Sequence, residues 1–362
     1  MAPVDRETVA IYERESARYE SQRRPRFLPQ AEALGARRPP GVAIDLGCGP
    51  GWYTAALGHP VVALDAARAM VRRALDVAPG SLGVQADLSA LPFRRGSLAA
   101  GWARNAYVHL RQDDVPMAFN DLHHVLAPGA LIEATVFAGE VEGYEIFPDD
   151  DLPGRWFSMW TEARLRDVLD GAGFAVDELT NDAHRDPTFT IRARRVPTLP
   201  DFVGVGMRVL VSGLNPSVHA AEAGVGYVTP GNRFWPAALE AGLASRDRDA
   251  RHALRHHGMG MTDLVKRATP RAAELTRDEY RAGLARLERL CAWLQPEAVC
   301  FVGLAGWRAA ADRKAQPGWQ PRGVGGRPAY VLPSTSGLNA ATPLSVLVDH
   351  LRAVMAGPPP NT

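Results

Sequence analysis

The sequence predicts an α/β protein made of two tandem α/β/α sandwich domains. Its 362 residues are more than one ordinary hydrophobic core contains and are enough for two. Apolar runs alternate with helical stretches along most of the chain, which is typical of βαβ units around a mostly parallel sheet. This alternation is interrupted by a segment rich in proline and glycine at 196–206, which predicts a linker between two domains.

The first domain is predicted at residues 1–195. Residues 1–40 are predicted as helix with charged faces, broken at RRPP. A capped helix that ends at Gly171 or Gly173 is predicted in TEARLRDVLDGAGF, and residues 187–195 are predicted as the final edge strand. Five apolar segments between these elements predict the other strands of the sheet: GVAIDLG, PVVALDA, SLGVQADL, SLAAGWARN and ALIEATVF.

The second domain is predicted at residues 207–357. Thr276 and Glu279 have the spacing of a capping box, which predicts the start of a long helix there. Leu284, Leu287 and Cys291 then share one face of that helix. Three apolar segments are predicted as its buried strands: MRVLVSG, EAVCFVG and PAYVLPS.

The composition predicts a cytoplasmic protein without bound metal. Hydrophobic residues make up 46% and charged residues 22% of the chain, as in ordinary globular proteins. Neither a signal-peptide pattern nor an apolar run of about 18 residues is present, so no membrane span is expected. The cysteines Cys48, Cys291 and Cys300 form no CxxC pair, so we expect neither a structural zinc site nor an iron–sulfur cluster.

The net charge of +1 conceals an asymmetry between the two halves. Residues 207–362 contain 19 Lys+Arg and 12 Asp+Glu (19 − 12 = +7), whereas residues 1–206 contain 22 and 28 (22 − 28 = −6). A basic second half predicts that this half alone binds a polyanion, which would associate the protein with the nucleoid. Chance scatter of charges is the alternative.

A glycine-rich loop follows the first predicted strand, in AIDLGCGPGW. Glycines allow the backbone to approach a ligand closely, and the predicted helix start behind them offers free N–H groups. Asp65 ends the next strand, where a carboxylate can accept hydrogen bonds from both hydroxyls of a ribose. By itself this pattern could equally bind a dinucleotide.

The details of this region resemble the class I S-adenosylmethionine-dependent methyltransferases over about residues 10–195. The loop has GxGxG spacing after an aspartate, and a further acid follows the third strand in QADLSALPF. The resemblance implies a Rossmann-like methyltransferase fold and S-adenosylmethionine as the cofactor. It also implies the donor-binding residues, which are Asp45, Gly47, Gly49, Asp65, Asp87 and Leu88.

The methyl acceptor is not evident from the sequence. Enzymes that methylate exocyclic amines of DNA bases resemble one another in an Asn/Asp-Pro-Pro-aromatic stretch after the fourth strand, where this chain has ARNAYVHL. The Pro-Cys nucleophile of cytosine-carbon methyltransferases is also missing there. We therefore expect an acceptor other than a DNA base. His109 could act as a base, although a histidine near a helix is more often structural.

The second candidate site is the sequence GLNPS at the end of MRVLVSG. The amide of Asn215 is no strong base, but it can hold a water molecule by donating and accepting hydrogen bonds. This suits a reaction in which the leaving group departs early from a sugar carbon. A turn asparagine that bonds its own backbone is the structural alternative.

The run GLNPS…GYVTPGNRFW resembles the first motif of the mismatch-specific uracil/thymine-DNA glycosylases, and the likeness continues through GMGMTDLVKRAT and YVLPSTSGLN. It implies a uracil-DNA glycosylase-like fold and base excision repair of double-stranded DNA with G·U or G·T mispairs. Asn215 would hold the attacking water, with Thr269 as its second partner. Tyr227 would stack on the extruded base. Asp263 would contact the base, unless it serves as a helix N-terminal acid.

The same resemblance implies a loop that enters the duplex, made of Ser336, Gly337, Leu338 and Asn339. Ser217 departs from the family pattern, which usually has glycine, and could narrow the pocket. Ser334 and Thr335 also depart from it. Cationic side chains are candidates for contacts with the DNA backbone, namely Arg233, Lys266 and Arg267.

Together these features predict a bifunctional enzyme: a monofunctional DNA glycosylase fused to a methyltransferase. Two alternatives remain open. The N-terminal domain could bind the donor without transferring a methyl group and act as a regulatory domain. The C-terminal domain could be a non-catalytic mismatch-binding protein.

Overall fold

The computed structural model describes residues 4–182, 187–339 and 341–359. It divides into two compact units. The N-terminal unit comprises Met1–Asp170 and Phe174–Val196, and the C-terminal unit comprises Gly171–Gly173 and Pro197–Thr362. Each unit has its own β-sheet and helices, which confirms the predicted α/β class.

The N-terminal unit alternates helices and strands after two initial helices. Its helices are α1 (Arg6–Gln22), α2 (Leu28–Arg37), α3 (Arg68–Val77), α4 (Val115–Val125) and α5 (Glu162–Gly171). Its strands are β1 (Val42–Leu46), β2 (Val61–Asp65), β3 (Leu82–Gln85), β4 (Leu98–Arg104), β5 (Leu126–Ala138), β6 (Glu142–Gly143), β7 (Phe157–Trp160), β8 (Phe174–Asp182) and β9 (Thr188–Arg195).

The sheet of this unit contains a switch point between β1 and β4. From β1 the chain continues outward through β2 and β3, whereas β4 and β5 extend the parallel sheet on the other side. Loops at the carboxyl ends of β1 and β4 therefore diverge and leave a crevice, which is where ligands bind in such sheets. The glycine-rich loop predicted from the sequence follows β1 at this point.

The prediction that residues 187–195 form the edge strand is wrong. β9 lies between β5 and β8 and is antiparallel to both, so β8 is the edge. The physical reason is the difference in apolar side chains between the two strands. β9 buries Phe189, Ile191 and Ala193, whereas β8 exposes Asp177 and Glu178. The more apolar strand takes the interior position, although it comes later in the chain.

The C-terminal unit has a five-stranded sheet in the order β11-β10-β12-β14-β13. All neighbours are parallel except the short β13, which is antiparallel to β14. The strands are β10 (Val209–Gly213), β11 (Met259–Asp263), β12 (Ala298–Val302), β13 (Gly318–Trp319) and β14 (Ala329–Leu332). The helices are α6 (Val218–Ala223), α7 (Phe234–Ala241), α8 (Ala250–His257), α9 (Arg277–Leu294), α10 (Leu304–Ala310) and α11 (Leu344–Ala356).

Helices cover both faces of this sheet. In β10, Val209 and Val211 belong to one apolar core with residues of α7 and α11, and Leu210 belongs to a second core with residues of α9 and α10. This alternation follows from the two-residue period of a strand, and it produces the three-layered sandwich. The predicted capping box of α9 is present, since Thr276 Oγ1 accepts from Glu279 N and Glu279 Oε2 accepts from Thr276 N.

Residues 197–203 of the predicted linker are built into the C-terminal unit. Phe202 exchanges two backbone hydrogen bonds of 2.8 Å with Met261. Thr198, Asp201 and Val203 are buried there. Among the described residues, no helix combines the length and the apolar composition that crossing a membrane requires.

Candidate functional sites

Asn215 lies two residues beyond β10, at the carboxyl edge of the C-terminal sheet. Its Nδ2 atom donates to Arg267 O at 3.0 Å, to Thr269 Oγ1 at 2.8 Å and to Pro216 O at 3.2 Å. Two of these acceptors are carbonyl oxygens, so the nitrogen of the amide must face them. The structure therefore brings together Asn215 and Thr269, as predicted, and fixes the orientation of the amide.

Thr269 is itself held rigidly. Its backbone N–H donates to Pro216 O at 3.1 Å, and its hydroxyl donates to Arg271 O at 3.0 Å while accepting from Asn215. Asn215 Oδ1 accepts no hydrogen bond within the described residues, and the side chain is half-buried. A fixed amide with a free oxygen acceptor can orient a water molecule, but it is too weak a base to deprotonate it.

The side chain of Tyr227 lies over the same edge of the sheet. It stacks on Phe234 with 4.2 Å between ring centroids, and its buried hydroxyl has no hydrogen-bond partner among the described residues. Tyr227 adopts a left-handed backbone conformation, with φ of 58°. Such strain in a residue other than glycine is concentrated at functional sites.

Asp263 lies beside Gly213 because the register of β10 and β11 pairs these two residues. A Cβ atom on Gly213 would lie 2.3 Å from Asp263 Oδ1 and 3.1 Å from Tyr227 Oη, so a larger residue here would displace the Asp263 carboxylate. Burial raises the pKa of Asp263 to about 6, although Lys266 opposes this effect. The alternative that Asp263 is a helix N-terminal acid is wrong, because it ends β11 and no helix follows directly.

The predicted insertion loop follows β14. Leu338 is 97% exposed, although it is apolar, and Gly337 packs so closely on the 229–231 turn that a Cβ would lie 3.0 Å from Gly231 O. Asn339 Nδ2 ties the loop together by donating to Ser334 O at 2.9 Å. The isolated apolar tip on a braced backbone is therefore presented to solvent.

The three candidate DNA-backbone cations have partners within the protein; the prediction is wrong for Lys266, which is buried, and stays a prediction for Arg233 and Arg267. Arg233 Nη2 donates to Ser336 O at 3.1 Å and to Asn339 O at 2.6 Å, so it braces the insertion loop. Lys266 is buried against Asp201 Oδ1 at 2.8 Å. Arg267 forms an ion pair with Glu279 at 2.6 Å.

One departure from the family pattern, Ser217, serves local structure. Ser217 is the N-cap of α6, and its Oγ atom accepts from Ala220 N at 3.1 Å. Its hydroxyl is therefore engaged by the helix. Thr335 is buried, and its carbonyl accepts from Arg233 N at 2.9 Å.

The glycine-rich loop of the N-terminal unit turns tightly behind β1. Gly47 and Gly51 have positive φ angles, and a Cβ on either would lie within 2.6 Å of an alanine atom. Asp65 at the end of β2 accepts from Gly49 N at 3.0 Å and from Ala67 N at 2.9 Å. Burial raises the pKa of Asp65 to about 6.

Four of the six predicted donor-binding residues line one cleft at this edge: Gly47, Gly49, Asp65 and Leu88. Asp45 does not line it, since it is buried beneath the loop and accepts from Thr54 Oγ1 at 2.7 Å. Burial raises the pKa of Asp45 to about 7. Asp87 does not line it either, because its carboxylate accepts from Val4 N at 2.7 Å and Ser89 N at 2.8 Å.

Several residues of the cleft were not identified from the sequence. Tyr12 and Tyr19 come from α1, and Arg104 and Asn105 come from the end of β4. The sequence did contain a signal for the two tyrosines, because residues seven apart lie on the same face of a helix. Asn105 has φ of 50°, another strained position beside a cavity.

His109 also lines this cleft, with both ring nitrogens engaged. Its Nδ1 donates to Trp156 O at 2.7 Å, so Nε2 accepts from the Tyr12 hydroxyl at 2.8 Å. Burial lowers the pKa of His109 to about 4, which keeps the ring neutral at physiological pH. This geometry favours the structural interpretation of His109.

Comparison with known proteins finds a match in each half of the chain. A family profile described as "Uracil DNA glycosylase superfamily" matches residues 200–352, and one described as "Methyltransferase domain" matches residues 43–129. The chain therefore carries a methyltransferase domain followed by a domain of the uracil-DNA glycosylase superfamily.

Solved structures similar to this chain include several methyltransferases. An S-adenosylmethionine-dependent methyltransferase from Methanosarcina mazei is 18% identical, covering 43% of this chain and 92% of its own, with a TM-score of 0.39. The 1,6-didemethyltoxoflavin-N1-methyltransferase from Burkholderia thailandensis is 20% identical, with coverage of 54% and 91% and a TM-score of 0.42. A methyltransferase from Mesorhizobium loti is 23% identical, with coverage of 46% and 98% and a TM-score of 0.37.

Proposed function

We propose that this protein is a bifunctional enzyme whose C-terminal domain excises uracil mispaired with guanine from double-stranded DNA. Thymine and damaged pyrimidines opposite guanine are related substrates within the same proposal. The observation that carries it is the fixed amide of Asn215, whose nitrogen is tied to Arg267 O and Thr269 Oγ1 while its oxygen is free.

In the proposed reaction, the bond between C1′ and the base nitrogen breaks, and the base leaves with the bonding electrons. A water molecule held by Asn215 Oδ1 forms the new C1′–O bond and releases a proton, leaving an abasic site. Backbone N–H groups of 213–217 and 226–230 would stabilise the departing anion. An amide cannot stabilise a cationic sugar as a carboxylate does, so we expect slow chemistry.

The other side chains have separate roles in this proposal. Tyr227 offers a ring face to the extruded base, and Asp263 contacts the base from the end of β11. Leu338 fills the space that the flipped nucleotide leaves in the duplex. Extrusion costs a few kcal/mol, least at a mispair, which favours G·U over A·U.

The test is base release from labelled duplexes with G·U, G·T or A·U pairs, followed by alkaline cleavage at the abasic sites. We expect excision at G·U by the wild type and excision about 10²–10³-fold slower by Asn215→Ala. If both proteins bind the G·U duplex and neither cuts any substrate, the domain is a non-catalytic mismatch-binding protein and the proposal is wrong.

For the N-terminal domain we propose methyl transfer with S-adenosylmethionine as donor. The residues present fit this cofactor: the backbone of Gly47 and Gly49 borders the cleft, and Asp65 presents a carboxylate at the end of β2. When bound, the cofactor would supply a methyl group carried on a positively charged sulfur. This methyl group would bond to the acceptor as its bond to sulfur breaks. Asp65 would hold the ribose, and Leu88 would contact the adenine.

Calorimetric titration with S-adenosylhomocysteine tests donor binding directly. We expect binding by the full-length protein and weaker binding by Asp65→Ala. Binding without transfer to any acceptor would favour the regulatory alternative. Absence of binding would refute the assignment of the cleft.

A further inference from the structure

The donor cleft adjoins a second cavity with a volume of about 500 Å³. The two share lining residues, among them Gly47, Gly49 and Arg104. The size matches that of pockets for small molecules, which is roughly 300–1,000 Å³. A molecule in this cavity would therefore lie directly beside the donor site.

Aromatic side chains form much of the wall of this second cavity. On one part of it, Tyr19 and Trp52 are stacked, with 5.7 Å between ring centroids. On another, Phe137, Phe147 and Phe157 form a cluster with centroid distances of 4.8 to 5.8 Å. Rings arranged in this way favour a planar, apolar body in the ligand through stacking and edge contacts.

Arg104 adds a positive charge to the same cavity. Its Nη1 donates to Asn105 Oδ1 and, at 2.6 Å, to Thr135 Oγ1, and its guanidinium carbon lies 3.9 Å from the centroid of Phe27. All of these partners are neutral, and no described carboxylate forms an ion pair with Arg104. Burial lowers the pKa of Arg104, which is the cost of a desolvated cation.

Two other arginines of the cavity, Arg23 and Arg155, contrast with Arg104. Arg155 donates to Asp150 Oδ2 at 3.2 Å, and Arg23 forms ion pairs with Asp150, at 3.7 Å, and with Asp151. These charges are neutralised within the protein. A half-buried guanidinium without a carboxylate partner is costly unless a ligand supplies the missing charge.

We infer that the methyl acceptor is a free, planar aromatic acid whose carboxylate or phosphate group pairs with Arg104 in this cavity. The inference rests on the proposed methyltransferase function and specifies its substrate class. The ring of the acceptor lies against the aromatic walls, and its anionic group supplies the counter-charge of the guanidinium. A base within a DNA duplex does not fit this description, because it is neither free nor enclosed.

The experiment compares matched probes on the full-length protein: 4-hydroxybenzoate and phenyl phosphate, which are anionic, and 4-hydroxybenzamide, which is neutral. Affinities are measured by calorimetry with and without saturating S-adenosylhomocysteine. We expect the wild type to bind the anionic probes at least about tenfold more tightly than the amide, the factor that corresponds to about 1.4 kcal/mol. Arg104→Gln should remove this preference.

Two further variants keep the result interpretable. Arg104→Lys retains the charge without the planar fork, so it should keep part of the preference for anions. Arg14→Gln removes the same charge from the exposed face of α1 and should behave as the wild type. The thermal unfolding of each variant shows whether it is folded.

Two outcomes would overturn the inference. The first is equal affinity of the wild type for charged and neutral probes. The second is an unchanged preference in folded Arg104→Gln. If that variant also loses affinity for S-adenosylhomocysteine, Arg104 holds the carboxylate of the donor instead. If the wild type does not bind S-adenosylhomocysteine at all, the proposed function fails, and the titrations without it still report the charge preference.

Discussion

The coupling of Asn215 and Thr269 can be measured with a double-mutant cycle made of Asn215→Ala, Thr269→Val and both together. Thr269→Val removes one acceptor of the Asn215 amide, the one at 2.8 Å. A hydrogen bond of this kind contributes about 1 kcal/mol net, so we expect excision about fivefold slower. Asn215→Ala removes the group that orients the water. Loss of one such preorganised polar group lowers kcat by about 10²–10³.

The double variant is the informative one. If Thr269 acts only by holding the amide, its removal has no further effect once Asn215 is alanine. The rate of the double variant should then equal that of Asn215→Ala, with an interaction energy of about −1 kcal/mol. The assay is single-turnover excision on a G·U duplex with excess enzyme, because product release then does not limit the rate.

Two results would contradict this reasoning. Additive effects of the two substitutions would mean that Thr269 acts independently of the amide. A wild-type rate in Asn215→Ala would mean that the amide does not hold the attacking water. Fluorescence anisotropy with the same duplex serves as the control, since all variants should bind DNA as the wild type does.

Three other predictions follow from the burial and charge of single side chains. Since the pKa of Asp263 is raised to about 6, its carboxylate is ionised at pH 8 and opposes the negative charge on the departing base. Asp263→Asn should therefore speed excision at pH 8 by roughly tenfold, which corresponds to about 1.4 kcal/mol. It should also abolish the rise in excision rate that the wild type shows as the pH falls through 6. A variant that is slower and still pH-dependent would disprove this. Leu338→Ala should slow excision about tenfold or more, and more at A·U than at G·U, because burial of a leucine contributes about 1.5–3 kcal/mol. Its unfolding free energy should change by less than about 0.5 kcal/mol, since the side chain is 97% exposed; an equal loss at both pairs would argue against insertion. The pKa of Asp65 is also raised to about 6, so S-adenosylhomocysteine affinity should fall as the pH falls through 6, and Asp65→Ala should abolish that dependence; calorimetry across pH 5–8 measures both.

Much of each site could be predicted from local sequence. The glycine-rich loop and GLNPS both follow apolar strands, and the residues at such strand ends are specified by short motifs. The structure places Gly47, Gly49 and Asp65 at one cleft and joins Asn215 to Thr269. Each of these residues lies within a short sequence motif, so its place at the site could be predicted without knowledge of the fold.

Charged side chains were predicted less well. Lys266 and Arg267 follow β11 in a segment where a DNA-binding domain could present cations, yet Lys266 is buried against Asp201 and Arg267 pairs with Glu279. Composition counts charges without showing their partners. Which carboxylate neutralises a given cation depends on packing between segments that are distant in sequence.

The sequence by itself determined the α/β class, the order of the two domains and the residue types at the strand ends. These follow from strand and helix periodicity and from motifs of a few residues, which are local properties. Only the tertiary structure decided that β9 lies inside the sheet, that Asp263 faces Gly213 through the register of β10 and β11, and that Arg104 borders the cavity without a carboxylate partner. Each of these depends on which distant segments share the same space, and burial and charge pairing settle that only when the whole domain packs.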